Sequence, residues 1–134
     1  MKTDPKILST FLAAAVWADG EYDEFEKEFT KDLASELEIP TLSATLESEI
    51  KATESMSEEA LANYLEEAAK KVAKDEGEGI LTLCLQMMCA DAYMAQDEMD
   101  NFFSFAEILG IDDDTASAIL DDFVDEEEDL IIEQ

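Results

Sequence analysis

Apolar residues recur along this chain at intervals of three and four positions, which is the spacing of amphipathic helices. No stretch shows the sustained alternation of apolar and polar residues that is typical of a half-buried strand. The pattern therefore predicts an all-α fold, a single-domain bundle of about seven helices. The apolar stripes of these helices fall at residues 7–15, 25–37, 42–50, 61–72, 80–90, 99–109 and 116–123.

Residues that favour helix ends separate these stripes. Asp4 followed by Pro5 predicts the first helix start, and Gly20 directly after Asp19 predicts its end. Pro40 should close the second helix, Ser57 should cap the fourth, and residues 112–114 should contain the start of the seventh. The fifth helix is expected from Ile80 onward. Because it is apolar on every side, we expect it at the centre of the bundle.

One stretch of sequence occurs twice, 72 residues apart, at residues 12–26 and 84–98. In each copy an apolar helix ends in Ala-Asp, and a glutamate follows seven positions after the aspartate: Asp19 and Glu26 in the first, Asp91 and Glu98 in the second. Each copy continues into an amphipathic helix that closes on Leu-x-Ile, at residues 37–39 and 109–111. We therefore expect an internal duplication in which helices 1–3 echo helices 5–7 and the fourth helix connects them.

Composition limits the function more than it limits the fold. The chain has 134 residues, 36 of them acidic and 8 basic, and all basic residues are lysines. We expect one domain over residues 1–126 and an acidic tail over residues 127–134, which is either solvated or a docking segment. A net charge of −28 excludes binding to nucleic acid or to an anionic membrane, and favours cations or a basic protein surface as partners. Solubility or a saline habitat explains the charge equally well. Oligomeric state is not predicted.

Two further features bear on location. Cys84 and Cys89 lie five positions apart on one predicted helix, where they point in different directions and cannot form a disulfide with each other, so free thiols in a reducing cytosol are expected. Residues 7–18 resemble the apolar part of a secretory signal, but residues 80–90 match them internally. Neither run has the roughly 20 residues needed to span a bilayer. We therefore expect a cytoplasmic protein.

The turn after the first helix holds five carboxylates within eight residues, 19–26. Hard divalent cations such as Ca²⁺, Mg²⁺ and Mn²⁺ prefer oxygen ligands, and carboxylates from different helices build the metal sites of helical bundles. If the two halves pack about a pseudo-two-fold axis, the second turn would contribute as well. The candidate metal ligands are Asp19, Asp23, Glu26, Asp91 and Glu98.

The same turn also fits a purely structural interpretation. Gly20 would end the first helix, Asp23 would cap the second, and Glu26 lies three residues after the cap, as in a capping box. This arrangement requires no metal, and the sequence leaves both interpretations open. It contains no nucleophile–base pair, phosphate-binding loop or cofactor motif, so we do not expect an enzyme.

The two turns resemble the element that defines the TerB-like family, named for bacterial tellurite-resistance proteins. Residues 16–26 fit its Ala-x-x-Asp-Gly-x-hydrophobic-x-x-x-Glu pattern well, and residues 91–98 with 109–111 fit it in part, since Ala92 and Ala95 replace the glycine and the acidic cap. The resemblance implies an all-helical, duplicated bundle in a cytoplasmic bacterial protein linked to tellurite or other chemical stress. It also implies metal binding through Asp19, Glu26, Asp91 and Glu98, and for several relatives a role as interaction modules.

Two functional hypotheses follow. The first is a non-enzymatic TerB-like protein that binds a divalent cation, or relays metal stress, through the acidic turn. The second is an acidic interaction module that docks onto a basic partner surface without a bound metal.

Overall fold

The computed structural model describes residues 3–19, 22–73, 75–90, 93–94, 96–127 and 130–132. Within these residues the chain forms seven α-helices and one pair of two-residue strands. The prediction of an all-α bundle is confirmed. The elements are α1 (Pro5–Asp19), α2 (Glu24–Glu36), α3 (Leu42–Thr53), α4 (Glu58–Ala69), α5 (Gly77–Met88), β1 (Tyr93–Met94), α6 (Gln96–Ile108), α7 (Asp113–Glu126) and β2 (Ile131–Ile132).

Helix α1 lies at the centre of the bundle. Every residue from Leu8 to Val16 is buried, and α1 packs against α3, α4, α5 and α6. The expectation that α5 would be central was wrong, because residues 82, 83 and 86 of α5 remain half-buried. Residues 13–15 of α1 are three consecutive alanines, and their small side chains allow the neighbouring helices to pack closely against α1.

The predicted helix starts are confirmed at two caps. The Ser57 hydroxyl accepts from the Ala60 amide at 3.1 Å, and Asp112 accepts from the Thr115 amide at 2.7 Å. Helix α5 begins at Gly77, three residues earlier than expected. Gly77 is the first residue of the helix, and the entropic cost of glycine applies chiefly to helix interiors, so its weak propensity matters little there.

The two Leu-x-Ile segments end their helices in the same way. Glu38 and Gly110 both adopt left-handed backbone angles, with φ of 58° and 76°. The Ile39 amide donates to the Ala34 carbonyl at 2.9 Å, and the Ile111 amide donates to the Ala106 carbonyl at 2.8 Å. Each end is thus a Schellman motif. These equivalent ends agree with the expected echo between the halves; the duplication itself stays a prediction.

The strand pair was not expected from the sequence. Tyr93 pairs with Ile131 and Met94 with Ile132 in parallel register, and Leu130 packs at the edge of the core. The described part of the tail therefore lies against the second acidic turn instead of extending into solvent. Helix α7 ends at Glu126, and the predicted tail begins at the next residue, 127.

No helix in the described ranges is both long enough and apolar enough to cross a membrane. Cys84 and Cys89 are both buried, and neither is part of a disulfide. Burial raises the pKa of Cys84 to about 12, and its Sγ lies 3.6 Å from the Phe11 carbonyl oxygen. The thiol is therefore protonated and inert at neutral pH.

Candidate functional site

The first acidic turn contains the predicted capping box. The Glu26 amide donates to Asp23 Oδ1 at 2.9 Å, and the Asp23 amide donates to Glu26 Oε1 at 3.1 Å. Asp23 has the extended backbone of an N-cap, so the reciprocal arrangement holds the chain at the start of α2. The structural interpretation of these two residues is confirmed, and one oxygen of each carboxylate is used by the cap.

Glu26 is nevertheless unusual for a capping residue, because its side chain is only 2% exposed. Its neighbour Tyr22 is half-buried, and Thr30 is fully buried one helical turn further on. Burial raises the pKa of Tyr22, a hydrogen bond with Thr30 partly offsets this, and the charges of Glu47 and Glu26 raise it further. The phenol therefore stays neutral at physiological pH beside a buried carboxylate.

The second turn has the same feature. Glu98 is 3% exposed and is the third residue of α6, as Glu26 is the third residue of α2. The two glutamates are 72 positions apart, the period of the repeat. Buried carboxylates therefore occupy corresponding places at two helix N-termini, where the helix dipole favours a negative charge. Met94, in the strand that precedes Glu98, is fully buried.

The five predicted ligands fall into three groups. Asp23 and Glu26 are brought together by the cap, while Glu98 is buried at the equivalent place in the second half. Asp91 and the side chain of Asp19 lie outside the described residues. Within the described ranges, no three or more cysteine or acidic side chains form a group that could hold a metal ion. Asp23, Glu26 and Glu98 alone therefore do not form such a group.

The sequence analysis missed a third buried carboxylate. Glu49 of α3 is 4% exposed and accepts from the Thr10 hydroxyl of α1 at 2.9 Å. It also accepts from the Tyr64 hydroxyl of α4, whose oxygen lies 3.1 Å from Oε1 and 3.0 Å from Oε2. The signal was present: Glu49 lies on the buried stripe of α3 between Leu46 and Thr53, where a charged residue is unusual.

Trp17, the single tryptophan, marks another polar contact near the first turn. Its indole Nε1 donates to the Thr53 hydroxyl at 2.8 Å, and Thr53 in turn donates to the Glu49 carbonyl at 2.8 Å. The indole therefore ties the end of α1 to α3. Because it lies two residues before Asp19, its fluorescence should report changes at the turn.

The chain was compared with protein-family models, with curated proteins and with solved structures, and none of the three comparisons gives a match.

Proposed function

We propose that this protein is a non-enzymatic, cytoplasmic helical bundle that binds a divalent cation at its acidic inter-helix turn. The observation that carries the proposal is the burial of Glu26 and Glu98, at 2% and 3% exposure, at corresponding positions of the two repeated segments. Neither the net acidity nor helix capping requires a carboxylate to be buried, since most caps are exposed.

The physical argument is one of compensation. Removing a carboxylate from water costs several kcal/mol unless other groups offset the loss of hydration. A helix N-terminus and a capping hydrogen bond offset part of this cost, and a divalent cation with oxygen ligands would offset more. The first turn would supply Asp19, Asp23 and Glu26 as ligands, and the second turn would supply Asp91 and Glu98.

The position of Asp19 favours the cation-site hypothesis over a purely structural turn. It is the last residue of α1, where a negative charge opposes the negative end of the helix dipole. A residue unfavourable for the helix is explained if a cation binds beside it. The resemblance to the TerB-like element supports a role for such a site in responding to metal or other chemical stress in a bacterial cytoplasm.

The test separates the site from the cap by changing Asp19, which takes no part in the capping box. Asp19→Asn and the control Glu36→Gln, an exposed residue at the far end of α2, each remove one negative charge. Calorimetric titration with Ca²⁺, Mg²⁺ and Mn²⁺ at constant ionic strength should give saturable binding of one or two ions. Asp19→Asn should weaken this binding at least tenfold, and Glu36→Gln should not change it. Heats that never saturate, or equal effects of the two variants, would refute the cation site.

A second function, docking onto a basic protein surface, is favoured by a different observation. Phe25 is 59% exposed on α2, between the exposed residue Glu24 and the buried Glu26, and Glu28 is exposed one turn on. Aromatic side chains are enriched at protein interfaces, and the surrounding carboxylates complement a basic partner.

This docking function predicts an association with a lysine-rich peptide that weakens steeply as salt is added, because exposed charges are screened over about 10 Å at 0.1 M. Phe25→Ala should weaken it further without changing cation binding. If Phe25→Ala has no effect on the peptide, the docking function fails while the cation site stands.

A further inference from the structure

A small pocket opens where the turn between α3 and α4 lies against the last part of α1 and the middle of α6. Its cavity volume is about 270 Å³, below the roughly 300–1,000 Å³ of most small-molecule sites. None of its lining residues belongs to either acidic turn. Six of them are apolar: Ala14, Trp17, Ala18, Met56, Leu61 and Phe105. The pocket therefore has room for one apolar side chain.

The apolar atoms of this pocket are accessible from outside. Trp17, Met56 and Leu61 are half-buried and form its walls, while Ala14 and Phe105, at 2% and 5% exposure, close its floor. An apolar group that entered would cover the exposed parts of the three wall residues, and removal of apolar surface from water is the main favourable term in most protein association. The walls thus supply the binding surface for an apolar anchor.

Two polar groups of the lining are bonded within the protein. The Trp17 indole N–H donates to the Thr53 hydroxyl at 2.8 Å, and the Thr53 hydroxyl donates to the Glu49 carbonyl oxygen at 2.8 Å. An apolar group can therefore cover these atoms without depriving a polar atom of its partner, which would cost free energy. The first bond also holds the indole in place, so this wall needs little ordering when a partner binds.

The mouth of the pocket is negatively charged. Glu54 and Glu58 line it, both are exposed, and neither forms an ion pair with a lysine in the part of the chain that the structure describes. Among the described residues no lysine lines this pocket, although four other clefts on the surface each include at least one of the eight lysines. A partner would therefore meet negative charge at the mouth with no opposing positive charge beside it.

The occupant that fits this arrangement combines an apolar side chain with positive charges on either side of it. A lysine side chain alone does not fit, because its ammonium end would enter first and meet the apolar floor. A second copy of this chain would bring a further net charge of −28 against the acidic mouth. The apolar tip of the tail, Ile131–Ile132, is already paired with Tyr93–Met94. The occupant is thus a segment of a basic partner protein.

We propose that this pocket docks a protein segment in which one large apolar side chain is flanked by lysines. The apolar side chain lies against Trp17 and Leu61, and the lysines lie beside Glu54 and Glu58. The apolar anchor supplies most of the affinity, and the charges orient the segment and speed its approach. The inference is independent of the cation site, and it uses a surface other than the one around Phe25.

The test uses Trp17 as its probe, because the single tryptophan of the chain lines the pocket. Two capped pentapeptides are titrated into the full chain at constant ionic strength, one with four lysines around a central phenylalanine and one with four lysines around a central alanine. The phenylalanine peptide should saturate the change in Trp17 fluorescence at a concentration at least tenfold lower than the alanine peptide. Equal affinities would overturn the proposal, since they would show attraction by charge alone. Phenethylamine binding as tightly as the phenylalanine peptide would also overturn it, since a small amine would then suffice.

Two double variants separate the mouth of the pocket from the rest of the acidic surface. Glu54→Gln with Glu58→Gln removes both charges that line the pocket, whereas Glu59→Gln with Glu66→Gln removes two exposed charges of α4 outside it. The first pair should weaken binding of the phenylalanine peptide roughly threefold or more, as expected for the loss of two exposed ion pairs, and the second should leave it nearly unchanged. Equal effects of the two pairs would overturn the proposal.

A blocking variant tests the pocket itself. Ala18→Leu places a larger side chain in the lining and should weaken the binding that Trp17 fluorescence reports at least tenfold, whereas Phe25→Ala should leave that binding unchanged. Circular dichroism checks that Ala18→Leu folds. If it does not, the four glutamate substitutions, all at exposed positions, still decide the result. Loss of binding in Phe25→Ala but not in Ala18→Leu would assign the peptide to the Phe25 surface and overturn the proposal.

Discussion

Substitutions at Asp23 separate the capping role of the first turn from its proposed role in cation binding. Asp23→Ala removes the oxygen that accepts from the Glu26 amide at 2.9 Å, while the bond from the residue-23 amide to Glu26 Oε1 can persist. Loss of an Asp cap costs about 1 kcal/mol, within a range of roughly 0.5–2 kcal/mol. Asp23→Asn keeps an equivalent acceptor and removes only the charge, so we expect the free energy of unfolding to change by only a few tenths of a kcal/mol.

Urea denaturation measures both variants, with circular dichroism and Trp17 fluorescence as probes whose transitions should coincide. With a urea m value of about 1–3 kcal/mol/M, Asp23→Ala should lower the midpoint by roughly 0.3–1 M without changing m. Asp23→Asn should leave the midpoint nearly unchanged and still weaken cation binding. A loss of stability in Asp23→Asn as large as in Asp23→Ala would refute the capping argument, since it would assign the stabilisation to charge. No loss in either variant would show that the cap contributes nothing.

Three other predictions concern stability and reactivity. Glu38→Gly should raise the free energy of unfolding and Gly110→Ala should lower it, each by about 0.5–1 kcal/mol in urea denaturation, because a left-handed backbone strains any residue except glycine. Ser9→Ala should raise the free energy of unfolding by up to about 1 kcal/mol, because the buried Ser9 hydroxyl has no hydrogen-bond partner among the described residues. A clear decrease in the free energy of unfolding would contradict this. The Cys84 thiol should react with a thiol reagent only after unfolding. Because burial raises its pKa from 9.0 to about 12, the unfolded chain loses this proton first, and stability should fall as pH rises above about 9.

The helices were predictable because their signals are local. Asp4-Pro5 and Ser57 mark their helix starts through short-range geometry, and the apolar spacing identifies the buried faces. The position of each helix in the bundle is not a local property. Helices α1 and α5 are similarly apolar, and their packing partners decided that α1 is central. The β1–β2 pair joins segments nearly forty residues apart and involves only two residues in each, too few for a periodic signal.

The candidate site was predictable only in part. The reciprocal bonds of Asp23 and Glu26 follow from their three-residue spacing, which is a local rule. The burial of Glu26 and Glu98 does not follow from that rule, because it depends on helices packed over the turn. Glu49 was missed for the same reason: its donors, Thr10 and Tyr64, are 39 and 15 positions away. In a single sequence, the only sign of such a long-range polar contact is a charged residue among the apolar positions that face the core.

The most direct test of the central claim is Mn²⁺ titration followed by ¹H–¹⁵N NMR, because this paramagnetic ion broadens the signals of nearby amides. Binding at the acidic turns predicts that amides of residues 22–26 broaden first at substoichiometric Mn²⁺, that residues 93–98 follow, and that excess Mg²⁺ reverses both effects. Broadening spread evenly over the acidic surface, including residues 112–114 at the start of α7, would show diffuse ion condensation and contradict a cation site.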